Sequence, residues 1–343
     1  MEYPVRPKEA FDDSAAKAAA PAIAAKGLVK SFGDVRAVDG IDLTVPRGTI
    51  FAILGPNGAG KTTLIRMLAT LAQPDGGSAT VMGLDIVSEA QKVRREIALT
   101  GQFASLDEDL TGRENLLLLA RLWGFKGTSA RDRADDLLAV FDLADAGNQQ
   151  VKDYSGGMRR RLDIAASLVV TPGVLFLDEP TTGLDPKARQ DVWRMIRALA
   201  ASGVTILLST QHMEEADQLA ARIAVIDHGR KIAEGTNREL KAQIGTGMLR
   251  VAVTDPARRE EAARVLSERL GYPVQPSPEG GELTVIAGDA RKANEAVAAL
   301  LAAGIELSDF ALGQPSLDTV FFALTGYSAS VGTGEPETED HQP

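Results

Sequence analysis

The chain has no cysteine, which removes disulfide scaffolds, thiol catalysis and cysteine-based zinc sites together and is compatible with a reducing compartment. Its 3 histidines, His212, His228 and His341, are scattered, so no histidine metal cluster is expected. No stretch approaches the roughly 18 to 20 consecutive apolar residues of a bilayer-spanning helix; apolar runs such as those around residues 50–54 and 174–177 are far shorter. A basic excess is missing as well. With 37 Lys and Arg against 47 Asp and Glu, the net charge of -10 lacks the footprint needed to release counterions from nucleic acid, and no nucleic-acid partner is expected. The first 25 residues mix acids with bases, carry 3 prolines, and lack a basic segment followed by an apolar one. They read as a flexible polar tail, not an export signal.

What is present is an ordinary globular composition, 44% hydrophobic and 24% charged over 343 residues, enough for two domains or one large domain with an appendage. Apolar strands alternate with amphipathic helices, which argues for an α/β fold. A strand over 48–54 ends at a glycine loop that opens a helix over 61–71. Residues 107–145 turn helical, with Thr111 and Glu114 forming a capping box ahead of 116–119 and a second helix near Ser129. The runs 174–178 and 204–209 are apolar up to their last residues but for Thr205, as in a parallel sheet buried on both faces. Between them a helix takes Asp185 as N-cap, Pro186 at its first position and Gly203 past its end. A strand over 223–226 closes this part.

The pattern then reads strand (249–253), helix (256–270), strand near Val274, strand (282–287), helix (290–302) and strand (305–312). That β-α-β-β-α-β order suggests a small α+β, ferredoxin-like module. From Gly326 onward there are acidic residues but no Lys or Arg, as in a solvated tail. The expected organisation is an N-terminal tail over 1–25, a main domain over 26–245 with a helical insertion at about 103–157, an accessory domain over 246–325 and an acidic disordered tail over 326–343.

The run Gly55, Pro56, Asn57, Gly58, Ala59, Gly60, Lys61, Thr62, Thr63 fits G-x-x-x-x-G-K-S/T between a strand and a helix. Glycine backbone lets N–H groups curl around a phosphate chain, and the helix N-terminus adds positive potential. Lys61 reaches the outer phosphates, and the Thr62 hydroxyl can ligate Mg²⁺. A nucleotide with Mg²⁺ is therefore the expected ligand. Asp178 and Glu179 end an apolar strand, where open parallel sheets bind ligands. One carboxylate can hold the metal shell while the next orients or deprotonates the attacking water. The bland alternative, a solvated strand end before Pro180, is weakened by the loop upstream.

Ser155, Gly156, Gly157 and Met158, preceded by Tyr154, stand between that loop and the acidic strand. The order resembles the signature of ATP-binding cassette (ABC) ATPases, in a Y-S-G-G-M form in place of L-S-G-G-Q, although Ser155 also reads as a plain helix N-cap. The resemblance implies an ABC-type phosphate-loop core with a helical insertion. It also implies residue roles. Gln102 would be the Q-loop glutamine touching Mg²⁺, Asp185 the D-loop aspartate as well as an N-cap, and Phe32 the aromatic that stacks on adenine, with core packing as the alternative. Each ATP would lie between Lys61, Thr62, Asp178 and Glu179 of one chain and Ser155 and Gly157 of another, so a homodimer is implied.

One position departs from the family. Where S-T-H is usual, Ser209 and Thr210 are followed by Gln211, with His212 next. Glutamine can donate a hydrogen bond but cannot become a cation, and adjacent residues on extended backbone face opposite sides, so His212 is not expected to substitute. Gln211 is assigned the γ-phosphate contact. The segments 210–220 and 225–230 and the run at 315–321 are similar to the daunorubicin-resistance type of ABC exporter ATPases. That likeness implies an ATP-hydrolysing subunit, peripheral at the cytoplasmic face of the cell membrane, touching the membrane through a separate permease and driving drug or antibiotic efflux. A soluble non-transport ABC ATPase and a slow-turnover regulatory module are the alternatives.

Overall fold

The strands over 50–54, 174–178 and 205–210, buried at every position, lie together in one sheet. In the computed structural model, which describes residues 20–100, 106–244, 247–276, 282–313, 317, 320 and 321, the chain enters through β1 (Ile23–Phe32) and β2 (Val35–Val45). It passes through β3 (Ile50–Leu54), α1 (Lys61–Leu68), β4 (Gly76–Val81), β5 (Leu84–Asp85), α2 (Ala90–Glu96) and β6 (Ile97–Thr100). The helices α3 (Gly112–Leu122) and α4 (Gly127–Val140) form the insertion, and α5 (Gly156–Ser167) leads back to β7 (Val174–Asp178). Then come α6 (Pro186–Ala201), β8 (Thr205–Thr210), α7 (Met213–Leu219), β9 (Arg222–Asp227), β10 (Arg230–Gly235) and α8 (Asn237–Ile244).

The central sheet has the order β10-β9-β3-β8-β7-β6. Its core pairs, β3 with β8 and β9, and β7 with β6 and β8, are parallel. Every residue of β3, β7 and β8 is buried, which is why their sequences show no alternation: both faces are covered. On one face α1 places Leu64, Ile65, Met67 and Leu68 in a core with Phe51, Ile53, Phe176 and Leu207. Truncating Leu64 there would cost about 2–5 kcal/mol, the range for a buried leucine. The same core takes Ile23, Leu28, Ile41, Leu43 and Val45 from a second, antiparallel sheet of order β2-β1-β4-β5.

That second sheet and strand β10 go beyond the sequence reading, and the reason is local. A bulge interrupts β1 between Ala25 and Leu28; Gly27 sits at φ 59° and donates its N–H to Asp42 Oδ1 at 2.7 Å. The extra residue breaks the period of two by which a half-buried strand is recognised. Ala22 and Ile23 are buried, ahead of the expected tail boundary at residue 25. At α1 the helix stops at Leu68, short of the expected 71, because Thr70 turns to φ 62°.

The chain divides into two compact units, Met1–Asn237 and Arg238–Pro343, earlier than the expected boundary at 245/246. The second unit contains β11 (Met248–Val253), α9 (Arg259–Leu270), β12 (Gln275–Pro276), β13 (Glu282–Ile286), α10 (Ala290–Ala302) and β14 (Leu307–Gly313). Its sheet order β12-β13-β11-β14, antiparallel throughout, is the ferredoxin-like arrangement the element order suggests. Leu249, Val251, Leu283 and Val285 of the sheet pack on Leu266, Val297 and Leu300 of the helices, a core of its own.

Candidate nucleotide-binding and hydrolysis site

The loop Gly55 to Thr62 joins the C-terminal end of β3 to α1, and its glycines are demanded by contact. A Cβ on Gly55 would lie 2.2 Å from the carbonyl oxygen of Ile226, and one on Gly60, at φ 100°, would lie 2.1 Å from that of Ala37. No other residue fits either place. Gly60 is the N-cap of α1, so the first helical N–H groups open toward the loop.

Lys61, only 4% exposed, donates from Nζ to the carbonyl oxygens of Gly55 at 2.9 Å and Pro56 at 3.0 Å. The same ammonium lies 3.4 Å from Glu179 Oε1. Asp178, at the end of β7, accepts through Oδ1 from the Thr62 hydroxyl at 3.2 Å and from the Ser209 hydroxyl in a short contact. Ser209 is opposite Asp178 in the β7–β8 ladder. It also receives the N–H of Glu179, through its carbonyl oxygen at 3.1 Å and its Oγ at 3.2 Å. Glu179 itself sits at φ 47°, a left-handed conformation that costs a non-glycine residue about 1–3 kcal/mol and is characteristic of active sites. Its Oε2 accepts from Thr182 Oγ1 at 3.2 Å.

The structure thus brings together Lys61, Thr62, Asp178 and Glu179 from two parallel strand ends, and adds Ser209, which the sequence reading passed over. Its signal was available: a hydroxyl at the end of a fully apolar strand. For a divalent cation the donor set is one hydroxyl and one carboxylate, both hard oxygens on adjacent elements. That suits Mg²⁺, which keeps few protein ligands and fills its shell from phosphates and water. Among the described residues no group of three or more His, Cys, Asp or Glu side chains comes together as a metal cage.

Other expected residues are placed as follows. Phe32 is 57% exposed at the end of β1, which excludes core packing, and Lys30 Nζ lies 5.6 Å from its ring centroid. Gln102 lies outside the described residues. Ser155 is the N-cap of α5, its Oγ accepting from the Met158 N–H at 3.3 Å, and both Ser155 and Gly156 are exposed. Gly157 has a packing reason: a Cβ there would approach Ala188 Cβ at 2.8 Å. Tyr154 is buried, donates to the carbonyl oxygen of Ala146 at 2.8 Å, and has its phenol pushed up by burial. Asp185 is the N-cap of α6, accepting from the Ala188 N–H at 2.9 Å. Gln211 follows β8 directly, and His212 is the N-cap of α7 with its N–H bonded to Thr210 Oγ1 at 2.9 Å.

Residues 38–182 match the family model described as ABC transporter. The chain is 54% identical over 321 residues to the daunorubicin/doxorubicin resistance ATP-binding protein DrrA of Streptomyces peucetius, covering 94% of this chain and 97% of that one. It is 45% identical over 309 residues to the doxorubicin resistance ATP-binding protein DrrA of Mycobacterium tuberculosis, covering 89% and 93%. It is also 45% identical over 241 residues to the Nod factor export ATP-binding protein I of Burkholderia thailandensis, covering 70% and 79%. Among solved structures it is similar to an ATP-binding cassette in a dimeric, post-hydrolysis state bound to ADP and phosphate. That match has 25% identity and a TM-score of 0.57, and covers 62% of this chain and 98% of the other.

Proposed function

Because the chain belongs to the ATP-binding proteins of ABC transporters, we propose that its ATP hydrolysis drives a separate transmembrane subunit that expels a hydrophobic drug or antibiotic. The observation that carries this reading is the meeting of Lys61, Thr62, Asp178 and Glu179 at the ends of β3 and β7, in a chain that matches drug-resistance ATP-binding proteins over nearly its whole length.

In this reading the loop N–H groups receive the phosphates and Lys61 takes the outermost one, which competes with Glu179 for the same ammonium. Released from that pair, Glu179 orients and deprotonates the attacking water. Thr62 and Asp178 would hold Mg²⁺, which neutralises charge developing on the transferred phosphoryl group. Ser209 fixes the Asp178 oxygen that faces Thr62. Phe32 offers an exposed ring for the adenine, Gln211 a neutral hydrogen bond to the γ-phosphate, and Asp185 a contact between subunits. Ser155, Gly156, Gly157 and Met158 present the signature turn to the nucleotide of a second copy, so two chains complete each site.

Among the described residues no helix is long and apolar enough to cross a membrane, so membrane contact is assigned to the partner subunit, with this chain peripheral on the cytoplasmic face. The test is reconstitution in vesicles with a transmembrane permease subunit. ATP-dependent export of an anthracycline, lost with Glu179→Gln, is expected; ATP hydrolysis unaffected by the permease and without export would contradict the transport reading.

A further inference from the structure

Three helices that each open at a functional segment converge on Pro180 and Thr181, the residues after Glu179. α5 opens at Ser155, α6 at Asp185, and α7 at His212, directly after Gln211. From α7, Glu215 is fully buried at 0% exposure. Its Oε1 accepts from Thr181 Oγ1 at 2.7 Å and from Trp193 Nε1, on α6, at 3.1 Å. Its Oε2 is buried and has no hydrogen-bond partner among the described residues. From α5, Arg160 donates from Nε to the carbonyl oxygen of Pro180 at 2.9 Å and from Nη1 to Asp163 Oδ2 at 3.1 Å. Burial pushes the guanidinium below its ordinary value, and the Asp163, Glu215 and Asp178 carboxylates act in the opposite direction.

Packing alone does not explain Glu215. Ala216 and Leu219 on the same helix are buried as plain hydrophobes, and an apolar side chain of similar volume would avoid the cost of taking a carboxylate out of water with one oxygen unpaired. What an apolar residue could not do is tie three elements together through one atom. The single oxygen Oε1 joins α7 to the segment after Glu179 and to α6, and Arg160 ties α5 to the same segment through the Pro180 carbonyl. These bonds link the helix that follows Gln211 to the segment that follows Glu179.

We propose that Glu215 is a positioning residue for ATP hydrolysis, holding Gln211 and Glu179 in register so that both respond together when nucleotide binds. Buried at 0% exposure, it acts through its bonds to Thr181 and Trp193. The proposal rests on the nucleotide reading of the site given above.

The chain supplies its own reporter. Of its 2 tryptophans, Trp123 is 51% exposed and Trp193 is 5% exposed, so Trp123→Phe leaves one indole, bonded to Glu215. In the full-length Trp123→Phe protein, ATP with Mg²⁺ is titrated while binding is followed separately by calorimetry. Saturation should change the Trp193 emission, and Glu215→Gln, which keeps the shape and loses the charge, should reduce that change at least about 3-fold. Turnover should fall about 10-fold, the scale of one hydrogen bond to a charged group, with the ATP dissociation constant within about 3-fold of wild type. Trp193→Phe, which removes the indole N–H together with part of the ring, should lower turnover in the same direction and covers the case in which Glu215→Gln fails to fold. Nucleotide that binds without altering Trp193, or a Glu215→Gln protein of lower melting temperature but wild-type turnover per folded site, overturns the proposal. Failure of ATP to bind the Trp123→Phe protein would instead refute the nucleotide reading and the proposal with it.

Discussion

The phosphate side of this site and the signature turn differ in how far one chain satisfies them. Lys61 and Asp178 are buried, and both are paired within their own chain, to loop carbonyls and Glu179 in one case and to Thr62 and Ser209 in the other. Ser155 and Gly156, by contrast, are exposed, and the bond from the Met158 N–H does no more than start a helix. The first region is held by bonds within one chain, the kind of fixed polar arrangement that electrostatic catalysis uses. The second is presented outward, at the N-terminus of a helix, where backbone N–H groups suit an anion brought by another molecule. In the reading proposed above, this is a composite site whose buried part is built in cis and whose exposed part is used in trans.

The strongest way to break the comparison is to damage the buried half. Glu179→Gln keeps the shape of the side chain and loses its basicity, so turnover should drop by about 10² to 10⁴ while calorimetry still shows ATP binding. Hydrolysis near wild type would remove Glu179 from its role. A smaller effect is expected at the edge of the site. Gln211→Ala gives up a hydrogen bond to a charged oxygen, about 1.5–3 kcal/mol, and should slow turnover on the order of 10 to 10². His212→Ala should do little, since the backbone N–H of that residue, not its ring, makes the recorded bond to Thr210. The opposite ranking in a steady-state assay would mean the switch lies at His212. The smallest effect should come from outside both halves. Removing residues 246–343 deletes a unit with its own core and no phosphate-contacting segment, so ATP affinity should stay within about threefold. A collapse of affinity in a folded fragment would refute that division.

What the sequence discloses and what it conceals follow from how directly a residue's identity is forced. The glycine loop was legible because backbone contacts at Gly55 and Gly60 admit nothing larger. The capping box of Thr111 with Glu114 and the parallel strands over 174–178 and 204–209 were legible because local hydrogen bonding and two-sided burial each leave a pattern. The antiparallel sheet was not, since the bulge at Gly27 destroys the alternation. Buried charge was also hidden. Glu214 is exposed and Glu215 fully buried, yet in sequence they are an acidic pair on a polar helix. The one available hint is the spacing of Glu215 to Leu219, one helical turn apart on the buried face. Arg160 and Asp163 were concealed in the same way among the basic residues after the signature.

The division of the site between two chains is tested most directly by sedimentation of the Glu179→Gln protein with ATP, with and without a second change, Ser155→Arg. ATP should shift Glu179→Gln from monomer to dimer. Ser155→Arg, at an exposed position outside the phosphate loop, should abolish the dimer and leave ATP affinity within about threefold, because each chain binds nucleotide through its own buried half. A dimer that persists with Ser155→Arg, or ATP affinity lost along with the dimer, would contradict the account.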